Sequence, residues 1–319
     1  MFFINRSLWR NIFINRSRSC NIFLKRFKRD LVTKYLWLIF SLFWEKINIK
    51  SAKETIKWVC DNQGSLIRFG DAEFSIMGDL NFNTFYQRKT EFIKGALLET
   101  FSERDNKLLI CIPEVFDRTS MERATESSQY FWKVFLMKSY FFFRKILDKS
   151  YEYGNAQVSR PYIRLRNRTR SSEVFNMFKE VFAGRNIVIV EGELTRFGVG
   201  NDLLSCASSV RRIIVPAKDA FTFYDQIKEA CNSICDPDLF LLAIGPTSKP
   251  LALHLFKRGI QVLDLGHLDI EYEWFLRKVE KKVLIPGKYV SEVPGHFNKA
   301  DEHLLDLSEY NKQIVFKVG

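Results

Sequence analysis

A series of short, wholly apolar runs constrains this chain more than any other feature. They are Leu66-Ile67, Leu108 to Ile112, Ile187 to Val190, Ile213 to Val215, Leu239 to Ile244, Val262-Leu263 and Val283 to Ile285, and most end in glycine or proline. Strands that are apolar throughout, instead of alternating with polar residues, are buried on both faces. Helix-length segments lie between them at 51–62, 89–104, 173–183, 221–235 and 248–258. This alternation predicts an α/β fold, Rossmann-like, with a mostly parallel sheet wrapped by helices. Ligands in such sheets bind beyond the carboxyl ends of the strands. The loops that follow the runs are therefore where chemistry is expected. Residues 51–319 read as one α/β domain, with 120–172 as a helical and loop insertion.

The chain has 319 residues, 46% of them apolar, which is enough for a sizeable core and excludes a disordered chain. Its net charge of +12 is uneven, because residues 1–50 hold eleven Lys/Arg against two acids. The basic character thus belongs to an N-terminal helical extension and argues against a nucleic-acid partner for the domain. In this leader FINRS occurs at 3–7 and again at 13–17, and the segment ends in an aromatic stretch, Tyr35 to Trp44. That stretch is too short to cross a bilayer but suits its interface. It suits a packed N-terminal helix as well. No small-residue cleavage site follows it, as a secretory signal would need. The six cysteines are scattered, without zinc spacing or a disulfide framework. Cys231 and Cys235 are expected to be buried helix thiols. The expected location is cytoplasmic, with the leader on the inner face of the plasma membrane.

Five stretches carry candidate chemistry. In Arg68-Phe-Gly70-Asp71-Ala-Glu73, two acids stand two residues apart. On an extended segment they converge, and converging carboxylates need a proton or a cation between them. Hard oxygen ligands suit Mg²⁺ or Mn²⁺. The same residues also suit a helix start, with Asp71 as cap and Glu73 in the first turn. The stretch Glu191 to Asp202 follows a strand and holds Glu193, Thr195, Arg196, Gly198, Gly200, Asn201 and Asp202 before a helix-like LLSCA. Such a loop lets backbone amides approach phosphate. Gly245-Pro-Thr247-Ser-Lys-Pro precedes a helix that Thr247 or Ser248 would cap; a phosphate site fits it equally. His267, Asp269, Glu271 and Glu273 alternate with apolar residues, and alternation on a strand gathers them on one face. They then offer a base, a sugar-hydroxyl acceptor or a metal ligand, or simply a solvated face. Finally, Arg160, Arg164, Arg166, Arg168 and Arg170 cluster around Tyr162, and arginine forks suit phosphate.

Together IRFGDAE at 67–73, SRPY at 159–162, VEGELTRFGVGNDLL at 190–204, AIGPTSKPLA at 243–252 and LDLGHLDIEYEW at 263–274 resemble the GT-D-fold glycosyltransferases. The resemblance covers about Ser51 to Trp274. It departs from the family pattern at Ala72 and at Thr247-Ser248-Lys249. It implies transfer of a sugar from a nucleotide sugar, UDP-linked, to a glycan or lipid-linked glycan in surface polysaccharide or glycoprotein synthesis. It also implies a divalent ion, Mn²⁺ or Mg²⁺, on Asp71 and Glu73. Glu193, His267, Asp269 and Glu271 are the further catalytic candidates. Arg68, Gly70, Thr195, Arg196, Gly198, Gly200, Asn201, Asp202, Gly245 and Thr247 are expected on the donor, and Arg160, Tyr162 and Arg164 on the acceptor. The competing readings are a Rossmann-type methyltransferase using the 191–200 loop and a non-enzymatic basic adaptor.

Overall fold

Six of the apolar runs form strands in the computed structural model of the chain. The structure describes residues 33, 35–42, 46–82, 84, 87–116, 118–290, 292–295 and 305–319. The strands are β1 (Ser65–Arg68), β2 (Leu108–Ile112), β3 (Gly154–Asn155), β4 (Asn186–Gly192), β5 (Ser209–Val215), β6 (Leu239–Ala243), β7 (Val262–Asp264) and β8 (Ile314–Lys317). They form one sheet in the order β3-β2-β1-β7-β6-β4-β5-β8, and every neighbouring pair is parallel.

The helices are α1 (35–42 as described), α2 (Ala52–Asn62), α3 (Asp71–Met77), α4 (Glu91–Ser102), α5 (Arg118–Met121), α6 (Glu126–Lys138), α7 (Tyr140–Ile146), α8 (Ser171–Phe182), α9 (Tyr224–Asn232), α10 (Ser248–Lys257), α11 (Leu268–Leu276) and α12 (Ser308–Gln313). Ser51 caps α2, in a reciprocal box with Glu54. Residues of one strand go alternately to two cores. Val188 and Val190 join Phe74, Leu97, Phe135 and Leu251 on one face, while Ile187 and Ile189 join Ile56, Phe175, Phe178 and Trp274 on the other. Both faces are dry, which is why these runs need no polar alternation.

Three expectations fail locally. Residues 283–285 form no strand, because their backbone is used elsewhere. The Trp274 indole donates to the Val283 carbonyl at 3.0 Å, and the Ile285 carbonyl closes a turn with Lys288 N–H at 3.1 Å. Residues 203–207 form successive turns instead of a helix, with Ala207 N–H on the Leu204 carbonyl at 3.1 Å. Cys231 is buried in α9 as expected, but Cys235 lies past the helix end and is exposed.

The repeated leader motif lies outside the described residues. In α1, Trp37 and Phe40 pack on the core, the Phe40 ring 5.1 Å from that of Tyr140. Tyr35 and Leu42 remain 66% and 73% exposed, and Leu36, Leu38 and Ile39 are exposed with them. Among the described residues no helix is long and apolar enough to cross a membrane.

Candidate active site

A cavity of about 610 Å³ opens beyond the carboxyl ends of the strands. Each strand from β1 to β7 delivers lining residues just past its end: Gly70 and Asp71, Pro113, Ala156, Glu193 and Thr195, Ala217, Gly245, and His267. The volume is in the range that holds a small ligand.

The residues Asp71 and Glu73 belong to the first turn of α3, not to an extended segment. Successive helical residues turn by about 100°, so side chains two apart point to roughly opposite sides. The expected convergence is therefore absent. Gly70 takes the cap position, not Asp71. Glu73 folds back, and its Oε2 accepts from Gly70 N–H at 2.7 Å while its Oε1 lies 2.9 Å from Lys249 Nζ. Phe74 anchors this turn, its ring 5.0 Å from that of Phe143 and 5.8 Å from that of Phe101. Asp71 is left lining the cavity. Burial raises its pKa, with Arg164 opposing and Glu73 adding to the rise. An ion shared between these acids does not fit this arrangement, because both Glu73 oxygens are already engaged. Among the described residues no group of three or more His, Cys, Asp or Glu is placed to hold a metal.

Behind Glu73 stands a buried charge cluster. Lys249 is 4% exposed and Asp264 1%. Lys249 Nζ lies 3.1 Å from Asp264 Oδ2 and donates to the Gly245 carbonyl at 3.2 Å. The Asp264 carboxylate also accepts Arg68 N–H at 3.1 Å, and Arg68 Nη1 donates to the Ala156 carbonyl at 3.1 Å. Arg68 thus ties β1, β3 and β7 together at the cavity floor. Gly266, at φ +50°, makes room for it: a Cβ there would sit 2.3 Å from Arg68 Nη2.

One wall is built around Glu292. Arg160 Nη1 lies 2.8 Å from its Oε1, Arg164 Nη2 3.4 Å and His267 Nε2 4.0 Å, and Lys282 Nζ meets its Oε2. Burial pushes Glu292 up, but Arg160, Arg164 and Lys282 together hold it well below the usual carboxylate range. Burial, with help from Arg160, lowers His267 well below the ordinary imidazole range, so it is neutral at pH 7.

The remaining candidates lie behind the cavity. Residues 268–276 are helical, so the alternating acids divide between two faces. Asp269 and Glu273, one turn apart, both hold Lys288, at 2.7 and 3.2 Å, and both accept from Asn201 Nδ2 at 2.8 Å. Asp269 also accepts Gly198 N–H at 2.9 Å. Glu271 accepts the N–H groups of Tyr162 and Ile163 at 3.2 and 2.9 Å, fixing the arginine loop from below. Arg196 Nη1 donates to the Gly287 carbonyl at 2.7 Å. Asp202 bonds Tyr272 at 2.6 Å and Lys179 at 2.7 Å on the far side. Thr247 makes no cap bond and reaches Gln87 at 3.3 Å. None of Tyr162, Arg196, Gly198, Gly200, Asn201, Asp202, Thr247, Asp269 and Glu271 lines the cavity, whereas Arg68, Gly70, Asp71, Glu73, Arg160, Arg164, Glu193, Thr195, Gly245 and His267 do. Sequence reasoning leaves out three charged lining residues, Lys249, Asp264 and Glu292. Asp264 ends an apolar run and Lys249 lies in a quoted loop, which are usable signals. Glu292 has none.

The family model described as "Glycosyltransferase GT-D fold" matches residues 66–293. The chain is 33% identical over 273 residues to the glycosyltransferase GlyD of Streptococcus pneumoniae, covering 85% of this chain and 33% of that protein. It is 33% identical over 271 residues to the probable glycosyl transferase Gly of Streptococcus gordonii, covering 85% of this chain and 39% of that protein. The chain therefore spans well under half the length of these relatives. Among solved structures, one described as a domain of unknown function with a distinct glycosyltransferase fold superposes with a TM-score of 0.79 at 34% identity, covering 86% of this chain and 96% of that one. A glycosyltransferase from Streptococcus sanguinis gives the same TM-score at 33% identity, covering 86% of this chain and all of that one.

Proposed function

Because this chain belongs to the glycosyltransferase GT-D fold family, we propose that it transfers a sugar from a UDP-linked donor to a glycan or lipid-linked glycan acceptor. The observation that carries the reading is the composition of the cavity. Arg160, Arg164, Arg68 and Lys249 line it together with Asp71 and the exposed carboxylate of Glu193. Arg68 and Lys249 are held by Asp264 and Glu73 in the floor, and the guanidinium forks of Arg160 and Arg164 suit a diphosphate.

In this reading the glycosidic C–O bond breaks with its electron pair going to the diphosphate oxygen. Arg160 and Arg164 offset the charge that develops there, an effect largest in a site that excludes water. These arginines, expected on the acceptor, thereby pass to the donor. Asp71 orients the donor through a hydroxyl. Glu193, at the solvent side, takes the proton of the acceptor hydroxyl as it attacks. The exposed apolar residues of α1, next to the basic leader, support a location against an anionic membrane surface, where a lipid-linked acceptor would lie.

The test is hydrolysis and transfer assayed over a panel of UDP-, GDP- and dTDP-sugars. Turnover of a UDP-sugar, reduced by about 10²-fold or more in Asp71→Asn, is the expected result. A protein that binds no nucleotide, or an Asp71→Asn variant with full turnover, overturns the reading.

A further inference from the structure

We infer that Lys249 serves as the built-in cation of the donor site, so that donor binding proceeds without a divalent ion between Asp71 and Glu73. The inference rests on the donor reading above and concerns what neutralises its acids. Glu73 and Asp264 are buried carboxylates, 6% and 1% exposed, beside a cavity that would receive a negatively charged diphosphate. Left unpaired, they would oppose that ligand. Lys249 stands between them, 2.9 Å from one and 3.1 Å from the other. Its third partner is the Gly245 carbonyl at 3.2 Å. An ammonium has three donors, and all three are used.

The position is built, not incidental. Lys249 sits in the first turn of α10, directly after the β6 loop and before Pro250, and Leu251 and Leu255 of the same helix are fully buried. An ion on Glu73 would have to displace Gly70 N–H from Oε2, and with it the start of α3. Lys249 is a positioning residue in this account: with Arg68 on Asp264 it offsets the charges of Glu73 and Asp264, and it leaves the phosphate to Arg160 and Arg164.

The test is UDP binding by calorimetry, in excess EDTA and in Mn²⁺, for wild type and Lys249→Thr. Wild-type affinity is expected to agree within about twofold between the two conditions. Lys249→Thr is expected to bind about tenfold or more weakly in EDTA and to recover part of the loss in Mn²⁺, which wild type does not do. Wild-type binding that appears only with Mn²⁺ overturns the inference and leaves the donor reading intact. A Lys249→Thr protein with wild-type affinity in EDTA also overturns it. Absence of UDP binding in both conditions sinks the donor reading and this inference with it. If Lys249→Thr does not fold, the wild-type comparison decides alone.

Discussion

Two clusters of buried charge draw in part on the same motifs and differ in what they face. One surrounds Glu292 and Lys249 and lines the cavity; the other joins Asp269, Glu273, Lys288 and Asn201 behind the 193–202 loop. The residue types are alike. In the second cluster the polar groups are turned on one another and on backbone N–H groups, so the loop is held. In the first, Asp71, Arg160 and Arg164 keep a side toward open space. Charge in a motif thus marks a ligand site only where the fold leaves it a free face.

The largest expected effect is on the rear cluster. Lys288→Met strands Asp269 without its cation and leaves Glu273 only Arg277, at 3.3 Å, and is expected to cost about 3–5 kcal/mol, read from denaturant midpoints. Whatever folds should still bind UDP with wild-type affinity; lost affinity at full stability would erase the distinction between the clusters. Asp71→Asn is expected to do the reverse, lowering turnover by about 10²-fold with an unchanged or slightly raised melting temperature. The sign follows from its raised pKa: burial makes the ionised carboxylate costly to the fold.

A smaller effect is expected from pH. Glu292 is held below its unfolded value, so its contribution to stability is present above the usual carboxylate range and declines as the pH falls. Glu292→Gln should flatten the loss of stability below about pH 4, measured by urea unfolding at a series of pH values. An unchanged slope would mean that the wall arginines do not stabilise this carboxylate. The smallest effect concerns α1. Leu36→Asp/Leu42→Asp should weaken binding to anionic vesicles by about tenfold while leaving turnover on a soluble acceptor alone. Equal binding by both proteins would remove α1 from the membrane reading.

Much of the sheet was legible because a strand buried on both faces has to be apolar throughout, as Ile187 to Val190 are. The two-residue edge strand β3 carries no such run; β8 carries one, Ile314 to Phe316, that the sequence reading passed over. Spacing misled where two periodicities compete. Asp71 and Glu73 converge on a strand and diverge on a helix, and the same ambiguity merged Glu271 with Asp269. Helix α3 wins because Gly70 and Glu73 form a capping pair and Phe74 is locked among Phe101 and Phe143. Lys249 was visible in its loop, but only the approach of β7 to β1 gives it a partner in Asp264. Glu292 reaches the cavity by tertiary folding alone, so no local pattern could reveal it.

The bond between Arg68 and Asp264 spans 196 residues of chain. During synthesis β1 emerges early, but its neighbour β7 and the acid that orients Arg68 emerge almost two hundred residues later. Closing so long a loop is entropically slow, and parallel pairing does not repay it until late. The cavity floor is therefore expected to form late. Chains released before residue 264 would hold Arg68 and Asp71 yet no binding site, which pulse proteolysis of stalled nascent chains in the presence of UDP can check.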